Sequence, residues 1–193
     1  MNSIKPFFNN YVKKLFEALN AISIRNLDKA SDEIKKTIKK NGTIYVCGNG
    51  GSAAIANHYV VDFLKFFREN SNLKPKIISF SNSIETISAI SNDIDYKFIF
   101  KYQAETYCKK NDLIIIISSS GNSKNIIEVV KYAKSKKIKT IGFSGFKGGY
   151  LKRNSNISVH VNSQNYGMSE DSHHILMHLT LQYLIWNLKK KKN

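Results

Sequence analysis

A short apolar run that ends in a glycine-rich turn and leads directly into a helical pattern constrains the fold of this chain most. Residues 43–47 are rich in β-branched and aromatic side chains, and Gly48-Asn49-Gly50-Gly51-Ser52 follows them. The pattern predicts a strand, a tight turn and a helix over 52–67. Glycine permits close backbone approach, and the first N–H groups of a helix are unpaired. We therefore expect an anion site here, with Ser52 as the N-cap.

His58 and Asp62 are four residues apart on this predicted helix. Their side chains are therefore expected to project from one face, about a turn beyond the loop, where a metal or a reacting sugar carbon would lie. The alternative is a partly buried polar histidine beside a solvated aspartate. Spacing alone favours this plainer alternative, so the site needs support from elsewhere in the chain.

Strand and helix patterns alternate from residue 43 onward, which is typical of an α/β fold. The continuous apolar run 113–117 indicates a central parallel strand that is covered on both faces. Right-handed crossovers then predict a doubly wound, flavodoxin-like five-stranded parallel sheet, with ligands at the carboxyl ends of its strands. The predicted strands are 43–47, 75–80, 112–117, 139–143 and 157–161, and the predicted helices lie near 52–67, 84–91, 94–109, 123–136 and 169–188.

Two amphipathic helices precede the first strand, one over residues 3–20 and a second that ends at Gly42. The first helix carries many large apolar side chains, which favours burial against another subunit. We therefore predict a single domain over 1–193, in which 1–42 form an N-terminal α-hairpin used in oligomerisation and 43–193 form the α/β core. The apolar residues of the first helix are Ile4, Phe7, Phe8, Tyr11, Val12, Leu15, Phe16 and Leu19.

The third predicted strand ends in Ser118-Ser119-Ser120-Gly121-Asn122-Ser123, and a helix follows from residue 124. Hydroxyl groups, a flexible glycine and an N-cap serine predict a second anion-binding turn, suited to a phosphoryl group. A plain N-cap with a polar turn is the alternative, but two such turns in one sheet favour the anion site. Between the two turns, Asn92 and Asp93 offer an amide and a carboxylate to sugar hydroxyls, although alone they are an ordinary turn pair.

Three of the five histidines cluster with two acids at the start of the last predicted helix. His174 and His178 are four residues apart, and Glu170 lies within about 80° of His178 around the helix. The plain alternative is a helix start where acids suit the helix dipole. Together with His58 and Asp62, however, this cluster supplies two imidazoles and two carboxylates for one cation.

Charge, cysteine content and apolar segments indicate which partners and which cellular compartment to expect. The formal charge of +16 invites a nucleic-acid interpretation, but the basic residues are spread through helical segments and are mostly lysine, so we expect no nucleic-acid partner. Cys47 and Cys108 are isolated and predict buried thiols in a reducing compartment. No segment resembles a signal peptide or reaches membrane-spanning length, so a cytoplasmic protein without membrane contact is expected.

These motifs, in this order and spacing, resemble the sugar isomerase (SIS) family, and within it the phosphoheptose isomerases. The resemblance covers nearly the whole chain. It implies aldose–ketose isomerisation of sedoheptulose 7-phosphate to D-glycero-D-manno-heptose 7-phosphate through an enediol, for lipopolysaccharide or capsule. It also implies a homotetramer with one zinc ion in each active site and with sites that share residues between subunits.

The resemblance also implies roles for individual residues. The serine-rich turn is expected on the phosphate, and Asp62 and His178 are expected to be the acid/base pair. The sugar-phosphate site would include Ser52, Ser118, Ser119, Ser120 and Ser123; the substrate chain would contact Asn49, Gly50, Gly51, Asn92, Asp93 and Glu170; the zinc ligands would be His58, Asp62, Glu170 and His178.

Three positions depart from the family pattern: Asp62 stands in place of glutamate, Glu170 in place of glutamine, and Asp171 in place of glutamate. The shorter Asp62 side chain withdraws its carboxylate by about 1.5 Å, whereas Glu170 adds a negative ligand that favours a divalent cation. The departures leave two alternatives open. One is a non-catalytic SIS binding module, including the replication-initiator-associating type, and the other is a different sugar-phosphate enzyme such as a pentose-phosphate isomerase or a lyase.

Overall fold

The computed structural model of the protein describes residues 3–71 and 73–190. Its strands form one sheet in the order β2-β1-β3-β4-β5, and every neighbouring pair is parallel. This order confirms the predicted doubly wound, flavodoxin-like sheet. The strands are β1 (Thr43–Gly48), β2 (Lys76–Ser79), β3 (Leu113–Ser118), β4 (Lys139–Ser144) and β5 (Ile157–His160).

Helices flank both faces of this sheet, and two of them precede it, as the sequence predicts. They are α1 (Lys5–Asn20), α2 (Ile24–Lys39), α3 (Gly51–Val61), α4 (Arg68–Ser71), α5 (Ile84–Asp93), α6 (Ile99–Tyr107), α7 (Lys124–Ser135), α8 (Gly149–Asn154) and α9 (Tyr166–Lys190). A π-helical segment, Asp62–Phe67, joins α3 to α4, and a 3₁₀ turn, Tyr96–Phe98, precedes α6.

Several helix boundaries differ from the predicted ones. The predicted helix 52–67 is α-helical only to Val61 and then widens into the π-helical segment. The prediction that Ser52 is the N-cap of this helix is wrong, because Gly50 takes that position. Gly50 has a φ of +52°, a conformation that glycine adopts without a side-chain clash. Ser52 is buried in the first turn of α3. The sequence patterns also missed α8, which has only six residues.

Alternating residues of the central strands face two separate apolar clusters. Ile44, Leu113 and Ile115 pack with α2, α3 and α9 on one face, whereas Ile114 and Ile116 pack with α6 and α7 on the other. All of these side chains are fully buried. Because β3 is covered on both faces, the continuous apolar run indeed marks a central strand.

The two N-terminal helices differ in how much apolar surface they bury. Helix α2 buries Leu27, Ala30 and Ile34 in the core beside the sheet. Helix α1 buries only Ala18, and of the eight predicted apolar side chains five remain exposed to solvent in the single chain, whereas Tyr11, Leu15 and Leu19 are partly buried. The exposed ones are Ile4, Phe7, Phe8, Val12 and Phe16, at 45% to 78% of their full accessibility. The expected apolar stripe is therefore present and unburied within the chain.

Both cysteines are free thiols. Cys47 is fully buried in β1, and burial raises the pKa of its thiol, while Cys108 is partly buried. The prediction of unpaired, buried thiols is confirmed for Cys47 and holds in part for Cys108. Within residues 3–71 and 73–190, none of the helices combines the length and the apolar character needed to cross a bilayer.

Candidate active site

The candidate site forms where the carboxyl ends of β1 and β3 lie side by side. The strands are in register, with Gly48 opposite Ile117, so their two following turns emerge at the same edge of the sheet. Helix α3 begins after the first turn, and α7 begins after the second. Helix α9 packs along α3 and brings its histidines to this edge. The topology thus gathers motifs that are far apart in the sequence.

His58, Asp62 and His178 come together as predicted. The Nε2 atoms of His58 and His178 are 3.1 Å apart, and the Asp62 carboxylate lies 3.4 Å from His58 Nε2 and 3.2 Å from His178 Nε2. The Asp62 side chain is only 15% exposed, whereas the two imidazoles are 47% and 41% exposed. A nearly buried carboxylate therefore faces two imidazoles that remain open to a ligand.

His174 joins these residues, although the ligand set predicted from the sequence did not include it. Its ring centroid lies 4.7 Å from that of His58 and 4.5 Å from that of His178. One ring nitrogen from each of the three histidines falls within 4.8 Å of the others. Burial, followed by the two neighbouring imidazoles, lowers the pKa of His174. A neutral imidazole is the form that binds a metal.

This donor set fits a divalent cation such as zinc. Tetrahedral zinc with bonds of 2.0–2.1 Å to nitrogen places its ligand atoms roughly 3.3 Å apart. The separations among His58, Asp62 and His178 of 3.1 to 3.4 Å match this spacing. Asp62 Oδ2, which lies 3.2 Å from His178 Nε2 without hydrogen-bond geometry, and His174 Nε2 are both buried and make no hydrogen bond to the described residues. A cation bound between these groups would satisfy both atoms.

Glu170 lies close to the start of α3. A Cβ added to Gly51 would clash with the Glu170 carboxylate, so the glycine makes room for this side chain. The position also suits a negative charge, because the N-terminus of a helix carries a partial positive charge. The predicted ligand Glu170 thus lies beside Gly51 and is not one of the described side chains whose donor atoms cluster with those of the three histidines.

The first turn is held by side-chain hydrogen bonds. Gly48 N donates to Ser81 Oγ at 3.1 Å, and the same hydroxyl donates back to Gly48 O at 2.9 Å. The Asn49 amide forms two hydrogen bonds with Asn125 at the start of α7 and accepts a third from Tyr96. Sequence patterns did not single out Asn125 or Tyr96, because neither belongs to a glycine- or serine-rich motif.

The second turn uses some of its hydroxyl groups internally. Gly121 N donates to Ser118 Oγ at 3.2 Å, and Asn122 N donates to Ser120 Oγ at 3.3 Å. Ser119 Oγ, in contrast, is buried with no hydrogen-bond partner among the described residues. Ser123 occupies the N-cap position of α7 as predicted, but its side chain makes no capping hydrogen bond. The Ser123 hydroxyl is therefore uncommitted, the Ser118 and Ser120 hydroxyls act only as acceptors and keep a proton to donate, and the unpaired Ser119 hydroxyl is buried beneath the turn.

Asn92, Asp93 and Asp171 hydrogen-bond to residues outside the histidine cluster and the two turns. Asn92 and Asp93 form the last turn of α5, where Asn92 Nδ2 donates to Asp93 Oδ1 at 2.8 Å. Both side chains are exposed. Asp171, which stands where the family has glutamate, accepts a hydrogen bond of 2.9 Å from Tyr11 of α1. This contact, more than any other, raises the pKa of Tyr11.

His173 is not part of the cluster, despite its place between Ser172 and His174. Its side chain is fully buried beside Phe143 of β4, with the ring centroids 6.2 Å apart. Burial lowers its pKa to about 4, so it is neutral near pH 7. His173 is thus a core histidine, in keeping with its place five residues before His178, about 140° away around the helix.

Comparison with known proteins identifies the family of this chain. The SIS domain family matches residues 7–145. The phosphoheptose isomerase of Campylobacter concisus is 30% identical over 179 residues, which are 93% of each chain. That of Helicobacter pylori strain 26695 is 32% identical over 179 residues, 89% of this chain and 92% of the relative.

The fold agrees with the sequence comparison. The structure of a phosphoheptose isomerase from Francisella tularensis superimposes with a TM-score of 0.85 at 27% identity, covering 94% of this chain and 95% of the other. The superposition covers nearly the whole chain, so the two N-terminal helices and the parallel sheet belong to one recognised architecture. Because the family match spans well over half of its length, this chain belongs to the SIS domain family.

Proposed function

We propose that this chain is an aldose–ketose isomerase that converts sedoheptulose 7-phosphate to D-glycero-D-manno-heptose 7-phosphate through an enediol. The observation that carries the proposal is the approach of the Asp62 carboxylate to His58 and His178 at the ligand edge of the sheet. The phosphoheptose isomerases to which the chain is similar support the substrate. The heptose product would supply lipopolysaccharide or capsule.

Asp62 and His178 are the proposed acid/base pair. Asp62 would remove the proton at C2 of the aldose, or at C1 of the ketose, and return it to the other carbon. Its carboxylate suits this role because it is mostly shielded from water and one oxygen has no hydrogen-bond partner among the described residues. His178 would move a proton between the two substrate oxygens. Their separation of 3.2 Å would let both groups reach the same two reacting carbons.

The phosphate is proposed to bind at the turn after β3. Ser123 makes no capping hydrogen bond, Ser118 and Ser120 keep hydroxyl protons to donate, and the first backbone N–H groups of α7, apart from that of Ile126, have no acceptor within the helix. Ser52, Ser118 and Ser120 would shape this end of the site. Asn49, Gly50 and Gly51, together with Asn92 and Asp93, would contact the sugar chain. Glu170 lies beside Gly51, which supports contact with substrate hydroxyls.

A zinc ion is proposed as the cofactor. His58, Asp62 and His178 would hold it, and His174 is an additional ligand that its geometry supports. When bound, zinc supplies positive charge that stabilises an enediolate. Glu170 remains a proposed further ligand, as the family resemblance implies. Because protons compete with the metal for the carboxylates and imidazoles, the affinity for the metal should rise with pH.

A homotetramer is the proposed assembly. Helix α1 exposes a row of large apolar side chains that a single chain leaves in water. A second apolar groove runs along α9 beside the site and is lined by Ile175, His178, Leu179, Gln182, Tyr183 and Trp186. Because His178 itself lines this groove, a neighbouring subunit seated there would close the active site against water.

The test is turnover of sedoheptulose 7-phosphate by metal-stripped protein, with and without added zinc, together with solvent-proton exchange at C1 and C2. We expect zinc to restore turnover and exchange. Asp62→Asn and His178→Gln should each lower kcat by about 10²- to 10⁴-fold, the usual contribution of a general acid or base. A nearly unchanged kcat in both variants would disprove the assignment.

Other outcomes would identify the alternatives. Tight binding of zinc and of sugar phosphate without turnover would favour a non-catalytic SIS module. Turnover of a pentose phosphate at a higher kcat/KM than the heptose phosphate would favour a different isomerase on the same scaffold. Both measurements use the same protein preparation.

A further inference from the structure

The Asn49 side chain joins three segments of the candidate site. Asn49 Nδ2 donates to Asn125 Oδ1 at 2.9 Å, and Asn125 Nδ2 donates to Asn49 Oδ1 at 2.8 Å. The Tyr96 hydroxyl donates to the same Asn49 Oδ1 at 3.0 Å. These residues come from the turn after β1, the start of α7 and the 3₁₀ turn after α5. One amide group thus links the sugar-side turn to the phosphate-side helix.

The backbone fixes which atom of each amide points where. Ile126 N donates to Asn125 Oδ1 at 2.9 Å, and a backbone N–H can only donate. Asn125 must therefore direct its oxygen toward Ile126 N and its Nδ2 toward Asn49 Oδ1. Asn125 is fully buried, so water does not compete for these bonds. The orientation of the Asn49 amide follows from this chain of contacts.

Counting the donors and acceptors of the Asn49 amide in the same way leaves one N–H group without a partner among the described residues. Its Oδ1 already accepts from Asn125 and Tyr96, which fills both lone pairs. Its Nδ2 uses one hydrogen on Asn125, and the second hydrogen remains available. Asn49 is partly exposed at the ligand edge of the sheet. It can therefore offer a ligand one N–H donor and no acceptor.

We propose that Asn125 and Tyr96 are positioning residues that hold Asn49 as a hydrogen-bond donor to a substrate oxygen. This inference rests on the proposed function, because it takes a sugar phosphate as the ligand. A donor suits a carbonyl or hydroxyl oxygen of the sugar and disfavours a group that can only donate. The contact orients the sugar chain relative to a phosphate held at the neighbouring helix α7.

The test measures binding and turnover separately in the zinc-loaded full chain. Calorimetry would give the Kd for sedoheptulose 7-phosphate and for inorganic phosphate in Tyr96→Phe, Asn125→Ala and wild type. We expect the sugar-phosphate Kd to rise about 3- to 10-fold in Tyr96→Phe and about 10- to 100-fold in Asn125→Ala, as for loss of one or more hydrogen bonds. The Kd for inorganic phosphate should stay within about 2-fold of wild type in Tyr96→Phe, because the Tyr96 hydroxyl donates to Asn49 and to no described group of α7.

A matched control and a double variant separate positioning from general destabilisation. Tyr102→Phe removes a hydroxyl from another half-exposed tyrosine, on α6, and should leave both Kd values unchanged. In an Asn49→Ala background, Tyr96→Phe should cause no further loss, because its only proposed route to the substrate is gone. If Asn125→Ala does not fold, Tyr96→Phe measured in the wild-type and Asn49→Ala backgrounds still tests the positioning role. Tyr96 is exposed, so its replacement should not unfold the chain.

The results distinguish this inference from the proposed function. Wild-type binding of the sugar phosphate without turnover, with weaker binding in the variants, would overturn the isomerase and keep the positioning role. Wild-type turnover with unchanged Kd and KM in Tyr96→Phe and Asn125→Ala would overturn the positioning role alone. Equal losses of sugar-phosphate and inorganic-phosphate binding in Tyr96→Phe would also overturn it, and absence of any sugar-phosphate binding would overturn both.

Discussion

His58 and His178 meet with their Nε2 atoms 3.1 Å apart, although 120 residues separate them in the chain. Each also lies within 3.4 Å of an oxygen of Asp62. Ring nitrogens at this separation match the spacing of two ligand atoms on one metal ion, so a cation bound between them would contact both. The packing of α9 against α3 thus creates a pair of nitrogen atoms poised for a common positive partner.

Removing His174 should weaken metal binding. His174→Ala is expected to raise the Kd for zinc on the order of 10- to 100-fold, because one of the three clustered ring nitrogens is lost. Competition with a chromophoric chelator measures this Kd without reference to activity. His160→Gln is the control, since His160 lies beside Ser144 on the far strands of the sheet. Equal zinc affinity in His174→Ala and wild type would exclude His174 as a ligand.

Restoring the longer family side chain at position 62 should lower activity. Asp62→Glu adds one methylene and advances the carboxylate by about 1.5 Å, into imidazoles that are already 3.2 and 3.4 Å away. We expect kcat to fall about 10-fold or more while the melting temperature changes little. Steady-state kinetics and thermal unfolding of both proteins check this. A gain in kcat would show that the aspartate is a defect in this chain.

Gly51 and Glu170 should be coupled. Gly51→Ala places a methyl group where the Glu170 carboxylate lies, and the flexible side chain can move away at small cost in stability. We expect a rise in KM for the sugar phosphate that exceeds the change in melting temperature. Glu170→Ala raises KM alone, and the double variant should equal that single variant. Additive effects in the double variant would show that the two residues act independently.

The apolar face of α1 should be required for assembly. Phe7 and Phe8 are 68% and 60% exposed in the single chain, and replacing both with lysine would place two charges on a face that we expect to be buried between subunits. Light scattering should show a tetramer for wild type and smaller species for the variant. Lys13→Gln, a change at an exposed polar position of the same helix, should leave the mass unchanged. A monomeric wild type would disprove the tetramer.

Tyr45 should make the fold sensitive to alkali. Burial raises the pKa of Tyr45 to about 12, whereas an unfolded tyrosine titrates near 10. Between these values the unfolded state binds fewer protons than the folded state, so stability falls as pH rises from about 10 to 12. Below pH 10 this contribution is fully present. Denaturant unfolding at several pH values should show a shallower alkaline loss in Tyr45→Phe than in wild type.

Local patterns predicted most of the fold. The strand and helix periods identified all five strands, and the isoleucine run 113–117 correctly marked the central one. The patterns missed features that are set by tertiary contacts or that span too few residues to show a period. Helix α8 is too short to show a helical period, and Gly50 replaced Ser52 as N-cap because the turn needs a positive φ.

The site was predicted unevenly for the same reason. Spacing on one helix brought His58 to Asp62, and the family motif added His178, all of which lie together. The i, i+4 spacing of His174 and His178 placed both on one face of α9, whereas His173 lies about 140° from His178, so this spacing carried a signal for His174 that the predicted ligand set did not use. Asn125 and Tyr96 are linked to Asn49 only through the fold, so no window of sequence contains the signal.

The π-helical segment that starts at Asp62 changes how the sequence of this helix must be aligned with that of a plain α-helix. A π turn fits an extra residue into nearly the same rise as an α turn, and such turns frequently mark functional sites. Deleting one residue between Phe63 and Phe67 would therefore restore a plain α-helix while leaving His58 and Asp62 in register. An alignment that treats α3 to α4 as one continuous α-helix will pair every later residue of that helix with the wrong neighbour.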